Sequence, residues 1–241
     1  MRGSAIVIAG VLALGGCALD LPSLLASRAP APSNHDGDAG TVTPAPAGPS
    51  SAVADLPVKG RAPKTGYARA EFGQAWSDDV SVGLGHNGCD TRNDILRRDL
   101  TNVSIKPRSN GCAVLTGTLH DPYTGSTITF RRGLGTSSSV QVDHVVSLSN
   151  AWQTGAQSWT PEKRRNFAND PRNLLAVSGT TNQSKGDGDT ATWLPPNKNY
   201  RCSYVARQVA VKRVYGLWVT AAEQRAMQRI LTACRTALSA R

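Results

Sequence analysis

The feature that most constrains this chain is an alternating run that ends in two ionisable side chains. Residues 139–146 read Ser-Val-Gln-Val-Asp-His-Val-Val. A period of two predicts a half-buried β-strand over Ser139–Val146. Asp143 and His144 fall near its end. Neighbours on a regular strand point to opposite faces. The pair can serve one site only where the strand bends or ends, or where Asp143 approaches that site differently.

Two asparagines follow in order, Asn173 in Asp170-Pro171-Arg172-Asn173-Leu174-Leu175 and Asn182 in Asn182-Gln183-Ser184-Lys185-Gly186. A carboxylate and one amide oxygen can hold a hard divalent cation, and an imidazole can take a proton from water near neutral pH. Together these are the parts of a one-metal phosphodiesterase. Each residue also has a plain structural reading: an Asp-His pair at a strand end is commonly structural, and Asn commonly forms turns or caps. What favours the chemical reading is that all four occur together in this order.

The set resembles the His-Asn-Asn framework of HNH endonucleases. The stretch from Cys89 to Cys234 resembles a secreted bacterial HNH family related to the C-terminal nuclease domain of GmrSD-type modification-dependent restriction enzymes. Cys89-Asp90-Thr91-Arg92, Val142–Val146, Phe167-Ala168-Asn169-Asp170, Asn173-Leu174, Asn182–Asp187 and Trp193-Leu194-Pro195-Pro196 carry the likeness. It implies an α+β fold with a ββα-metal core in a mostly helical frame. It also implies His144 as general base, Asp143 and Asn182 as metal ligands, and Asn173 as the asparagine that holds the intervening loop and orients the histidine. Asn173 lies 29 residues after His144, a longer interval than compact HNH motifs have, with Trp152, Trp159 and a helix after Pro161 inside it. One divalent cation is expected, Mg²⁺ by default for oxygen ligands and Mn²⁺ next.

Charge agrees with a phosphate-bearing partner. From Pro57 onward 25 Lys and Arg face 13 Asp and Glu, a net of +12. The positive charge belongs to the part expected to fold, which suits DNA, or RNA, as the partner. Lys185, three residues after Asn182 and on the same helical face, and Arg92, near a helix start, are the candidate phosphate contacts. Each has an alternative as an ordinary solvated cation. His86 and His120 read as loop histidines, and Asp187 and Asp189 as turn formers after Gly186 rather than ligands of a second metal.

Residues 1–17 read as a signal peptide. Arg2 precedes an apolar stretch, Ala5–Leu14, too short to span a bilayer, and Leu14-Gly15-Gly16-Cys17 resembles a lipobox with Cys17 as the lipidated residue. Cleavage and full release is the other outcome, so the expected location is the cell envelope or the exterior. Membrane contact is expected only through Cys17. Residues 18–62, rich in Pro, Ala, Gly and Ser, read as a disordered linker, leaving 63–241 as the nuclease domain, expected to be a monomer. Four cysteines remain, Cys89, Cys112, Cys202 and Cys234, with no Cys-x-x-Cys. An exported chain with an even number of thiols suggests two disulfides. Of three pairings, sequence neighbours favour Cys89–Cys112 and Cys202–Cys234.

Local signals predict a capped helix from Thr91 to Leu100, a hairpin of Ala113–Leu119 and Ser126–Phe130, a helix from Pro161 to Asn169, a strand at Leu174–Val177 and a helix from Thr181. Helices over Ser203–Tyr215 and from Thr220 to Leu238 follow. Two functions of different class fit this sequence: an endonuclease with little sequence specificity, or an envelope protein that binds nucleic acid on a nuclease-like scaffold without cutting it.

Overall fold

The computed structural model describes residues 49–239. The expected signal peptide, Cys17 and the linker up to residue 48 lie outside the described residues. Within them, two small antiparallel sheets and seven α-helices form an α+β domain.

The first sheet has the order β1 (Leu100–Ile105), β2 (Val114–His120), β3 (Thr127–Arg131). The β2–β3 hairpin follows from its alternation, and Asp121 closes its turn by accepting hydrogen bonds from the backbone N–H groups of Tyr123 and Thr124. β1 is an element the sequence did not announce. It pairs with β2 through an irregular register, and Leu100 sits where Gly117 carries no side chain. A Cβ at Gly117 would lie 2.7 Å from Leu100 Cδ2. The preceding helix α2 (Thr91–Asp99) is capped by Asp90, whose carboxylate accepts from Asn93 N at 2.8 Å. Thr91, the expected cap, instead donates its hydroxyl to Ser77 O.

The second sheet pairs β4 (Val140–His144) with β5 (Leu174–Ser178), in register from Val140 opposite Ser178 to His144 opposite Leu174. Helix α3 (Leu148–Gln153) and helix α4 (Pro161–Asn169) lie between the two strands in sequence. Helix α5 (Gly179–Lys185) follows β5 directly. The strand is shorter than its alternating pattern, because residues 137–139 form a 3₁₀ turn and the chain leaves the sheet after His144. Gly179 lets α5 begin against that turn, since a Cβ there would lie 1.9 Å from Ser138 O.

Both faces of this two-stranded sheet are covered, and every residue of β5 is buried. Val140, Val142, Leu174 and Ala176 pack with Ile95, Leu96, Leu119 and Phe130. Val145, Leu175 and Val177 join the opposite core with Tyr123, Tyr204, Val205 and Val209. That second core is built on helix α6 (Arg201–Tyr215) and helix α7 (Ala221–Ser239). The frame around the two-stranded sheet is largely helical, with the three-stranded sheet supplying one side of it.

The end of the expected linker contributes to the packed domain. Residues 49–54 form helix α1, and Ala52, Val53 and Leu56 enter the core against Val205, Val209 and Met227. Val219 N then donates to Pro57 O at 2.9 Å, and Lys59 N to Val219 O at 3.0 Å. The apolar triplet Ala52, Val53, Leu56 outweighs the polar, Pro-rich composition around it. Disulfides join Cys89 to Cys112 and Cys202 to Cys234, as the spacing suggested.

α6 and α7 are also joined by a buried ion pair. Lys212 Nζ lies 3.0 Å from Glu223 Oε1 and donates to Asn150 Oδ1 at 2.9 Å, with both charged side chains inaccessible to solvent. Burial pushes the Lys212 pKa down and the Glu223 pKa up, and each charge partly offsets the effect on the other. Removing one partner leaves an unpaired buried charge, which costs about 3–5 kcal/mol. Lys212→Met should therefore lower the urea midpoint more than the double replacement Lys212→Met with Glu223→Leu. A double variant as unstable as the single one would contradict this.

Candidate active site

At the end of β4 the chain turns sharply into α3, and Asn173 holds the turn. The Asn173 side chain is fully buried. Its Oδ1 accepts from Val146 N at 2.8 Å, its Nδ2 donates to Val146 O, and its backbone O accepts from Val145 N at 2.8 Å. Ser147 then caps α3 by accepting from Asn150 N. Because the strand stops at His144, Asp143 and His144 open onto the same cavity. Its volume is about 330 Å³, and Asn182, Ser147, Ser149 and Asp187 share its walls.

His144 is nearly buried, and its Nε2 lies 2.8 Å from Ala168 O. A carbonyl oxygen can only accept, so Nε2 carries the proton and Nδ1 keeps its lone pair. Burial drives the His144 pKa down to about 3, against the opposing bond to Ala168, with Arg69 and Lys185 adding like-charge repulsion of the imidazolium. The ring is therefore a neutral base at neutral pH. The Trp76 indole lies nearly parallel to it, at 16° with centroids 5.8 Å apart.

Asp143 is buried and held on both oxygens. Tyr123 OH donates to Oδ2 at 2.6 Å, and Lys185 Nζ donates to Oδ1 at 2.9 Å. Burial and the Asp143 charge keep the Tyr123 phenol protonated, its pKa well above the ordinary value. Asn182, on α5, donates Nδ2 to Gln141 Oε1 at 2.9 Å, which fixes the amide so that Oδ1 remains an acceptor.

Among the described residues no three His, Cys, Asp or Glu side chains cluster to hold a metal. The two side chains expected to hold a cation, Asp143 and Asn182, present oxygens to this cavity, which the Asp187 carboxylate also lines. Each Asp143 oxygen has a lone pair beyond its single protein partner. Such a sparse, hard set suits a cation that keeps most of its water, as Mg²⁺ does.

The two expected phosphate contacts are placed otherwise. Lys185 does share a helical face with Asn182, but its ammonium turns inward to Asp143 Oδ1 and His144 O and is buried. Spacing on a helix decides the face, not whether a long side chain ends in water or in the core. Arg92 lies over the Phe130 ring, within 3.5 Å of Val140 O, and burial and the neighbouring Arg132 lower its pKa. Neither lines the cavity. The exposed cations there come from upstream: Lys64, paired with Asp187 at 3.0 Å, and Arg69, whose guanidinium makes no hydrogen bond or ion pair among the described residues. Asp187, expected in a turn, is drawn to the rim by Lys64 and Ser149, whose hydrogen bonds lower its pKa. His86 and His120 are exposed and do not line the cavity.

Residues 90–230 match the family of GmrSD restriction endonucleases, C-terminal domain, which is more than half of the chain, and the chain belongs to that family. A protein of Arthroderma benhamiae described as an uncharacterized secreted protein is 38% identical over 218 residues, covering 90% of this chain and 96% of its own length. This relative is fungal, whereas the sequence suggested bacterial kin. No solved structure matches the chain.

His144 links the site to stability. At pH values below 6.5 the unfolded chain binds a proton that the folded ring refuses until pH about 3. Stability at this position is complete above that window and falls as pH drops through it, by up to about 1.4 kcal/mol per pH unit. His144→Gln keeps an amide N–H for Ala168 O and does not titrate. In chelator, its urea midpoint should fall less than that of the wild type between pH 6.5 and pH 4. Equal slopes would remove the buried neutral imidazole from the account.

Proposed function

We propose that this chain is an exported, metal-dependent endonuclease that hydrolyses DNA phosphodiester bonds with little sequence specificity. Family membership supports a nuclease. The observation that carries the reading is His144, a neutral imidazole fixed through Nε2, on the same cavity as a carboxylate and an oriented amide. In this reading β4, β5 and α5 form the ββα-metal unit. His144 Nδ1 takes the proton of the attacking water, and Asn173 holds the turn that aims it. Asp143 and Asn182 hold one Mg²⁺, or Mn²⁺, which supplies charge stabilisation at the leaving oxygen. Arg69 meets the substrate phosphate, a task for which Arg geometry is suited.

The signal-like N-terminus supports export, and so does the relative described as secreted. Among the described residues no helix is long and apolar enough to cross a membrane. Lipidation at Cys17 would tether the domain through the linker; otherwise it is released. One observation favours the binding-only alternative: Lys185 already neutralises Asp143 without a cation.

A plasmid-nicking assay separates the two. The endonuclease reading expects nicking in Mg²⁺ or Mn²⁺ that is abolished by chelator; retarded but intact plasmid under all conditions would support binding alone. The ligand assignment makes a second expectation. Asp143→Ala and Asn182→Ala should each weaken Mn²⁺ binding by calorimetric titration, and Asn173→Ala should lower turnover with Mn²⁺ affinity less affected. Loss of Mn²⁺ binding in Asn173→Ala with retention in Asn182→Ala would exchange the roles of the two asparagines.

A further inference from the structure

A second cavity, of about 210 Å³, shares His144, Leu148 and Arg69 with the polar one. Its character differs. Phe72 and the Trp76 indole supply apolar walls, and Gln74 adds an amide with both a donor and an acceptor. Its volume is on the scale of one small ring system rather than of a larger ligand. Residues 69–76 form most of its lining and lie upstream of the region that matches the family. This strap is held in place: Trp76 O accepts from Thr91 N at 3.2 Å, and Phe72 is buried among Tyr67, Trp152 and Phe167. Trp76 keeps a left-handed backbone, φ 59°, which a bulky residue adopts only where its surroundings impose it.

We propose that this cavity is a nucleobase subsite, taking one unpaired base of the strand being cut while its phosphate lies in the adjoining polar cavity. The inference rests on the nuclease reading and adds a substrate class to it: single-stranded nucleic acid, or nucleotides freed from a duplex. An aromatic wall stacks on any base without reading sequence. The Gln74 amide can meet a base edge, and Arg69, common to both cavities, lies where a nucleotide joins base to phosphate. A base inside a duplex is stacked on both faces and must leave the stack to enter a cavity of this size, which single strands allow most readily.

The test compares a short oligothymidylate with the abasic oligomer of the same length, for the wild type, Trp76→Phe and Trp76→Ala. The wild type should cleave the oligothymidylate with kcat/KM on the order of tenfold or more above the abasic oligomer. Trp76→Ala should erase that difference, the loss falling on KM for the oligothymidylate, and Trp76→Phe should keep most of it. Equal cleavage of both oligomers by the wild type, a comparison that needs no variant to fold, would overturn the subsite and leave the nuclease reading standing. So would equal losses on both oligomers in a folded Trp76→Ala. Should nothing be cut, fluorescence anisotropy of labelled oligothymidylate in chelator decides. Binding that exceeds the abasic oligomer and depends on Trp76 supports the subsite while removing the nuclease; equal or absent binding overturns both.

Discussion

A carboxylate as buried as Asp143 cannot persist without partners, since the desolvation of an isolated charge costs far more than one domain can spare. Its two oxygens are met by Lys185 from α5 and by Tyr123 from the β2–β3 hairpin. That requirement draws two separate pieces of chain around the end of β4. Lys185 also donates to His144 O, so one ammonium fixes both the carboxylate and the backbone of the histidine beside it. The buried position of Lys185, which takes it away from solvent phosphate, thus gives Asp143 a cationic partner at the floor of the cavity.

The asparagine clamp works by geometry instead of charge. A strand that continued past His144 would send Asp143 and His144 to opposite faces. Asn173 prevents this by closing both backbone groups of Val146. Each bond replaces one the sheet would have supplied, so the chain leaves β4 without stranding buried polar groups. Catalytic geometry responds to displacements of about 1 Å, and a two-point amide clamp resists displacements of that size better than a single hydrogen bond.

Much of this centre was legible in the sequence, for identifiable reasons. β4 and the hairpin alternate, β5 is a short apolar run, and α4 announces itself with Thr160 and Pro161. Asp143, His144, Asn173 and Asn182 stand in a telling order, and the structure gathers Asp143, His144 and Asn182 on one cavity with Asn173 behind it. β1 escaped notice because Leu100-Thr101-Asn102-Val103-Ser104-Ile105 mixes polar and apolar residues without strict alternation and leaves only Leu100 buried. α3 is only six residues long and lies within the long interval between His144 and Asn173. The roles of Lys185 and Arg92 were not legible, because sequence spacing says nothing of where a long cationic side chain ends. Arg69 and Trp76 lie far upstream in sequence and outside any motif. Only tertiary packing brings them to His144.

The central claim is that His144 is the base of a phosphodiester-cleaving site and not a packed structural histidine. Single-turnover cleavage of plasmid DNA by His144→Ala in saturating Mn²⁺ tests it most directly, with Mn²⁺ affinity and urea midpoint measured on the same preparation. The rate is expected to fall by about 100-fold or more while a folded protein still binds the cation. A folded, cation-binding variant that keeps more than a small fraction of the wild-type rate would contradict it.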